Sequence, residues 1–403
     1  MQGVAEGRAE LLPGPGLTRG TTLILAATAG LSVANIYYAQ PLLDVMGRDL
    51  AISSDRVGLV VTLTQVGYGL GLILIVPLGD RMDRRRLVIA QVALSVLALL
   101  TVAASGTAAM LFAGMVALGL LAVVVQVLVA FAATLAAPNA RGKAIGTVTG
   151  GIVAGILTAR FMAGMIADLG GWRAVYGLSA GATLVMLGVL ARSLPSHPAP
   201  PQGGRYADAL RSIPLLFIRD PVLLVRGVLA ALIFASFSTL WTTLVFPLRA
   251  APFAYSHGQI GLFGLVGLAG ALAATGAGRL ADRGLGQWTT GGALVILTAS
   301  WGAIALLPRS ILLLVVGILL LDLAVQAVHV TNQSIILARH PEARSRLVGG
   351  YMVFYSVGSA IGAGSATMIY AQAGWLGVSA LGAAFSALAL GVWAGTLTLD
   401  RSG

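Results

Sequence analysis

Four polar side chains interrupt an apolar run in the last third of the chain: Asp322, Gln326, His329 and Gln333. Steps of four, three and four residues place them on one face of a helix, with Asn332 beside them. Asp322 is the one formal charge between residues 310 and 338. An ionisable group near the centre of a bilayer costs at least roughly 2.5–3.5 kcal/mol, so such a residue is a functional-site hypothesis by default. The expected chemistry is proton binding and release at Asp322, with His329, two turns onward, assisting near neutral pH. The alternative is a hydrogen-bond cluster that only joins helices.

Arg160 is the second charge placed within an apolar span. A guanidinium stays protonated and needs an acceptor. Three partners are open to it: an anionic group on a bound molecule, Asp322, or the membrane interface reached by snorkelling. Amide and aromatic residues that could contact a small molecule cluster at Asn35, Tyr37, Tyr38, Gln40, Gln65 and Tyr68, and again at Trp241, Tyr351, Phe354 and Tyr355. Packing or interfacial anchoring explains any one of them equally well.

The elements that position these residues are membrane helices. Of 403 residues, 58% are hydrophobic and 10% charged, against about 25% charged in soluble chains. Runs such as Val57–Leu78, Leu87–Ala104 and Leu111–Ala137 are continuous rather than alternating. That pattern excludes a membrane β-barrel and matches the roughly 20 helical residues that cross hydrocarbon. Spans are predicted near 21–45, 57–79, 86–105, 108–136, 142–167, 173–192, 222–248, 257–280, 287–307, 310–338, 345–371 and 374–398. The first twenty residues carry Glu6, Arg8, Glu10 and Arg19 and no Ala-x-Ala site, so the first span is expected to be retained.

The composition also narrows function. There is no Cys, and the four His stand at 197, 257, 329 and 340 without metal-ligand spacing. No phosphate-binding loop is present. No metal, cofactor or enzymatic activity is expected. The net charge of +11 reads as topology rather than nucleic-acid binding. Of twenty-five basic residues, Arg48, Arg56, Arg173, Arg249 and Arg309 fall outside, Arg160 lies in a span, and the other nineteen fall inside if both termini are cytoplasmic. The expected setting is the bacterial inner membrane, with a multi-pass chain that is monomeric in the bilayer.

A Pro-rich polar connection, 193–221, separates six spans in 1–192 from six in 222–403. The halves repeat. Lys143, Gly146, Gly155, Gly171 and Trp172 recur as Arg346, Gly349, Gly358, Gly374 and Trp375, each 203 residues on. Leu78, Asp80 and Arg81 recur as Leu280, Asp282 and Arg283, 202 residues on. By the same offset of 203, Gln126 corresponds to His329 and is expected to face the same space.

On these residues the chain resembles the major facilitator superfamily over nearly its whole length. The family's loop motif is matched by Leu78, Asp80, Arg81, Arg84 and Arg85, with Val76 and Asp83 in place of its two glycines. A weaker copy follows at Leu280, Asp282 and Arg283. The antiporter motif of the fifth span is degenerate: its positions hold Gly146, Gly155, Ala159, Arg160, Ala163 and Gly164, so Ala159 and Arg160 replace Gly-Pro.

The resemblance implies an all-α membrane fold of twelve helices in two pseudo-symmetric six-helix halves. The first, fourth, seventh and tenth spans then line a central cavity. It implies that Asp80, Arg81, Arg84, Asp282 and Arg283 form gating loops, and that Asn35, Tyr38, Gln126, Arg160, Trp241, Gln326, Gln333 and Tyr355 are candidates for contact with a small-molecule substrate. The function expected is proton-coupled secondary transport by alternating access, exporting a small organic compound. The alternative is import or facilitated passage of a small organic anion.

Overall fold

The computed structural model describes residues 18–137, 139–195, 206–339 and 344–397. The side chains of Asp80 and Asp282 lie outside the described set; their backbones fall in short helical turns. The helices are α1 (Arg19–Tyr37), α2 (Leu43–Asp49), α3 (Leu59–Leu74), α4 (Arg84–Ala103), α5 (Ala108–Ala122), α6 (Val124–Leu135), α7 (Arg141–Ser193), α8 (Tyr206–Arg219), α9 (Pro221–Thr243), α10 (Val245–Arg249), α11 (His257–Ala273), α12 (Thr275–Leu280), α13 (Gly286–Ala305), α14 (Ile311–Arg339) and α15 (Arg344–Gly395).

Among the described residues, nine helical stretches are long and apolar enough to cross a membrane. Two of them, of 53 and 50 residues, are each two crossings. Both turn back at a glycine, Gly171 (φ 78°) and Gly374 (φ 59°), in backbone conformations that a side chain disfavours. The shorter apolar helix starting at His257 supplies one more crossing, giving twelve. Gly171 and Gly374 are also a pair in the 203-residue repeat, so the duplication visible in the sequence marks the two matching hairpin turns.

Packing follows the same duplication. Helix α1 lies against α7 as α9 lies against α15, and α3 against α5 as α11 against α14. The halves meet by exchange: α3 packs on α15, and α11 on α7. Glycine permits these approaches. A Cβ on Gly155 would fall 2.2 Å from the Gly30 carbonyl oxygen, and one on its repeat partner Gly358 would fall 1.9 Å from that of Ala231. Two of the positions that resemble an antiporter motif, Gly155 and Gly164, thus serve as helix crossings, where small residues let backbones touch.

Breaks in the helices matter for the site. The first span is interrupted between Tyr37 and Leu43, where Pro41 lacks a backbone donor and its ring disfavours a continuous helix. The fourth breaks at Val123, between α5 and α6, just before Gln126. The polar connection contains the helix α8, which its prolines obscure in the sequence. Phe217 of α8 is buried with Leu223, Ile336, Leu347 and Tyr351, so the connection is clamped onto the second half.

Candidate functional site

The break at Pro41 turns Gln40 into the bundle, and Gln40 Oε1 accepts a 2.7 Å hydrogen bond from Arg160 Nε. The guanidinium of Arg160 lies 4.0 Å from the Trp241 ring centroid, 5.0 Å from that of Tyr37 and 5.8 Å from that of Phe237. Arg160 is 4% exposed, and its Nη2 has no hydrogen-bond partner. Aromatic faces hold the cation in place electrostatically, but they do not satisfy its N–H groups.

Asp322 also stands beside Trp241. Its carboxylate and the edge of the indole meet over Gly267, where a Cβ would fall 2.3 Å from Asp322 Oδ2 and 3.0 Å from Trp241 Cζ2. Asp322 is buried, and neither its Oδ2 nor Trp241 Nε1 has a partner of hydrogen-bond geometry. No salt bridge joins Arg160 to Asp322 among the described residues. One half thus supplies a buried cation and the other a buried acid, each with an unused polar atom, around one aromatic ring. Unsatisfied buried polar groups are rare in folded proteins and often mark a functional site.

A layer of tyrosines covers this pair on the side facing the interdomain connection. Tyr37 and Tyr355 share a hydrogen bond of 2.9 Å between their hydroxyls, across the two halves. Tyr355 packs edge-on to Tyr68 and Phe234, and Gln126 Nε2 donates to the Tyr68 hydroxyl at 3.3 Å. Beyond Gln126 opens a cavity of about 330 Å³ between the halves, lined by Val76, Arg84 and Gln126 on one side and Leu337 and Gly349 on the other.

At the opposite end the halves are closed. Thr62 donates to the Ala360 carbonyl at 3.1 Å, Thr367 to that of Asp55 at 3.1 Å, and a Cβ on Gly58 would meet the Ala363 carbonyl at 2.6 Å. His257 and Arg249 of the second half reach Asp44 of the first at 2.9 and 3.3 Å. The molecule is therefore accessible from the end that carries the connection and sealed at the other.

The structure brings together Arg160, Trp241, Asp322 and Tyr355, with Gln126 one layer away. Gln326, His329 and Gln333 keep to one half-buried face of α14. His329 Nδ1 is 3.1 Å from the Tyr351 hydroxyl, and Gln333 Nε2 is 3.2 Å from His329 Nε2. With Gln333 donating, the ring is neutral and carries its hydrogen on Nδ1. These partners lie in the second half and away from Asp322. Asn35 and Tyr38 are turned toward the sixth span: Ser179 donates to Asn35 Oδ1 at 2.7 Å, and Tyr38 packs edge-on to Tyr176.

In the loop between α3 and α4, Arg81 lies over the Tyr206 ring of α8 at 5.7 Å. Arg84 donates to the Gly79 carbonyl at 2.9 Å, within its own half. Arg283 sits in the matching turn before α13.

Three features escape sequence reasoning. Phe237 and Gly267 look like ordinary membrane residues until the helices are packed. Arg226 is a third buried charge, 2% exposed, whose Nη1 donates to Thr290 and Asn332, both at 3.2 Å. It joins α9, α13 and α14, and only its position one turn into a span could have flagged it. The third is an ionic cluster around His257 at the closed end.

The comparisons with known proteins agree with this architecture. The model of the Major Facilitator Superfamily matches residues 23–305. The chain belongs to the major facilitator superfamily. This transporter is 44% identical over 381 residues to the transporter YgaY of Escherichia coli, covering 94% of this chain and 96% of the relative. It is 33% identical to the transporter SCO4007 of Streptomyces coelicolor, covering 91% and 85%. Among solved structures, a bacterial homologue of the human lysosomal transporter Spinster, inward-facing, superposes with a TM-score of 0.77 at 15% identity, covering 93% of this chain and 96% of that one. The human organic anion transporter MFSD10 superposes at 0.60 with 18% identity, covering 93% and 100%. The protein is thus a multi-pass membrane transporter of this fold.

Proposed function

We propose that this transporter carries a small organic anion by alternating access, coupled to protons, with Arg160 as the anion site and Asp322 as the proton site. The observation that carries the reading is the pair of unpartnered atoms, Arg160 Nη2 and Asp322 Oδ2, both close to Trp241. An acid group docked on Nη2 completes the guanidinium's hydrogen bonds, while Trp241, Tyr37 and Phe237 offer an apolar wall to the rest of the molecule. Gln126, Gln326 and Gln333 supply polar contacts along the route from the cavity, and Tyr355 closes over the bound molecule through Tyr37.

Charge balance sets the direction of coupling. An anion on Arg160 removes the cation that balances Asp322, and a proton on Asp322 restores neutrality at low cost in a desolvated site. Anion and proton then bind together and move together, so an inward proton gradient drives uptake. Export by exchange would need cargo and proton to compete, an arrangement suited to a cationic cargo on Asp322. The halves 1–192 and 222–403 rock about this site, with 193–221 as the cytoplasmic connection and the Asp80–Arg84 and Asp282–Arg283 loops gating the cytoplasmic side. The distribution of Arg supports that orientation.

The test is transport in proteoliposomes under an imposed pH gradient, with a panel of carboxylates and organic cations. A carboxylate should accumulate when the outside is acid. Arg160→Gln should abolish its binding. Asp322→Asn should retain binding but lose dependence on the gradient. Gradient-driven movement of a cation, unaffected by Arg160→Gln, would overturn the reading.

A further inference from the structure

The ionic cluster at the closed end does work that the central site does not explain. His257 opens α11, with Ser256 as its N-cap and Gln259 completing a capping box. Across the interface, Asp168 of α7 accepts from the backbone N–H groups of His257 at 3.1 Å and Gly258 at 2.8 Å. The two backbones touch here, since a Cβ on Gly164 would fall 2.1 Å from the His257 carbonyl oxygen. The ring of His257, in a residue 7% exposed, is thereby held between two carboxylates of the other half. Its Nε2 is 2.9 Å from Asp44 Oδ1, and its Nδ1 is 3.4 Å from Asp168 Oδ1. The remaining charges in the cluster, Arg48 at 2.9 Å and Arg249 at 3.3 Å, both address the other oxygen of Asp44. Among the described residues, Asp168 has no ion pair other than that with the imidazole.

Charge then separates the two forms of the ring. An ionised carboxylate only accepts, and a neutral imidazole has one N–H to give. Nε2 has hydrogen-bond geometry to Asp44 and Nδ1 stands at ion-pairing distance from Asp168, so a neutral ring gives its one N–H to Asp44 alone, whereas the imidazolium also attracts Asp168 by charge. We propose that His257 is a second proton-binding site of the transport cycle, whose protonated ring, shared between Asp44 and Asp168, locks this end of the halves together. Losing the proton removes the positive charge that holds Asp168 and releases the lock. Gain or loss of that proton thus couples opening of this end to the pH of the compartment it faces. The proposal stands on the geometry of the closed end and does not depend on which molecule docks at Arg160.

The absence of Cys makes the test direct, because a single introduced thiol has no background. Thr367 is 1% exposed and bonds the Asp55 carbonyl across the closed interface, so Thr367→Cys reacts with a maleimide only when this end opens. Labelling in proteoliposomes is measured at about pH 6 and about pH 8 and divided by the rate for denatured protein at the same pH, which removes the chemistry of the thiol itself. The normalised rate should rise roughly tenfold at the higher pH. His257→Gln should make it independent of pH. Asp168→Asn, which keeps the ring but removes one carboxylate, should flatten it as well, and stands in if the first variant does not accumulate. A flat profile in the parent, or a profile unchanged in either variant, would overturn the proposal.

Discussion

Replacing Arg160 with lysine keeps the charge and removes the geometry, so it isolates what the guanidinium contributes. In the proposed anion site Nε is committed to Gln40 at 2.7 Å while Nη2 has no hydrogen-bond partner, and Cζ lies 4.0 Å from the Trp241 centroid. An ammonium is a point donor on a flexible stem and cannot hold Gln40 and present a second, fixed donor in the same plane. A hydrogen bond to a charged group contributes about 1.5–3 kcal/mol. Part of the stacking on Trp241, about 0.5–1 kcal/mol, goes with it. The sum, about 2–4 kcal/mol, corresponds to a loss in anion affinity of roughly 30- to 1,000-fold at 1.4 kcal/mol per decade. The assay is equilibrium binding of the transported carboxylate to purified protein, with unfolding temperature as the control for folding. Affinity within threefold of the parent in Arg160→Lys would refute the argument, because charge alone would then account for recognition.

Two further outcomes follow from the packing. Gly358→Val should lower the unfolding temperature strongly or prevent accumulation, since even a Cβ falls 1.9 Å from a backbone oxygen of α9; the same change at Gly349, where a Cβ meets nothing within 4 Å, should be tolerated in the same melting assay. Arg226→Met should destabilise the protein by about 1–3 kcal/mol, the cost of leaving a buried acceptor such as Asn332 Oδ1 without its donor. Thermal unfolding in detergent measures it, and unchanged stability would mean that Arg226 is dispensable as the tie between α9, α13 and α14.

Much of this protein is decided by sequence-local physics. Continuous apolar runs of about twenty residues can cross a bilayer only as helices, because their backbone groups must be satisfied internally. Duplication is recorded residue by residue, so Gly171 and Gly374 could be paired before their positive φ angles were seen. The cost of burying charge singled out Asp322 and Arg160 on composition alone. What the sequence could not contain is direction within the bundle. Asn35 and Tyr38 carry the same chemical promise as Gln40 and Tyr37, yet the break at Pro41 and the packing of the sixth span turn the first pair into the wall and the second toward Arg160. His257, Asp44 and Asp168 are separated by up to 213 residues and look like unrelated loop charges until α11 docks on α7. Apolar periodicity says which face of a helix is buried, not which neighbour buries it. The choice of neighbour is made by the exchanged packing of the two halves. That packing brought Arg160 and Asp322, from opposite halves, to the same indole.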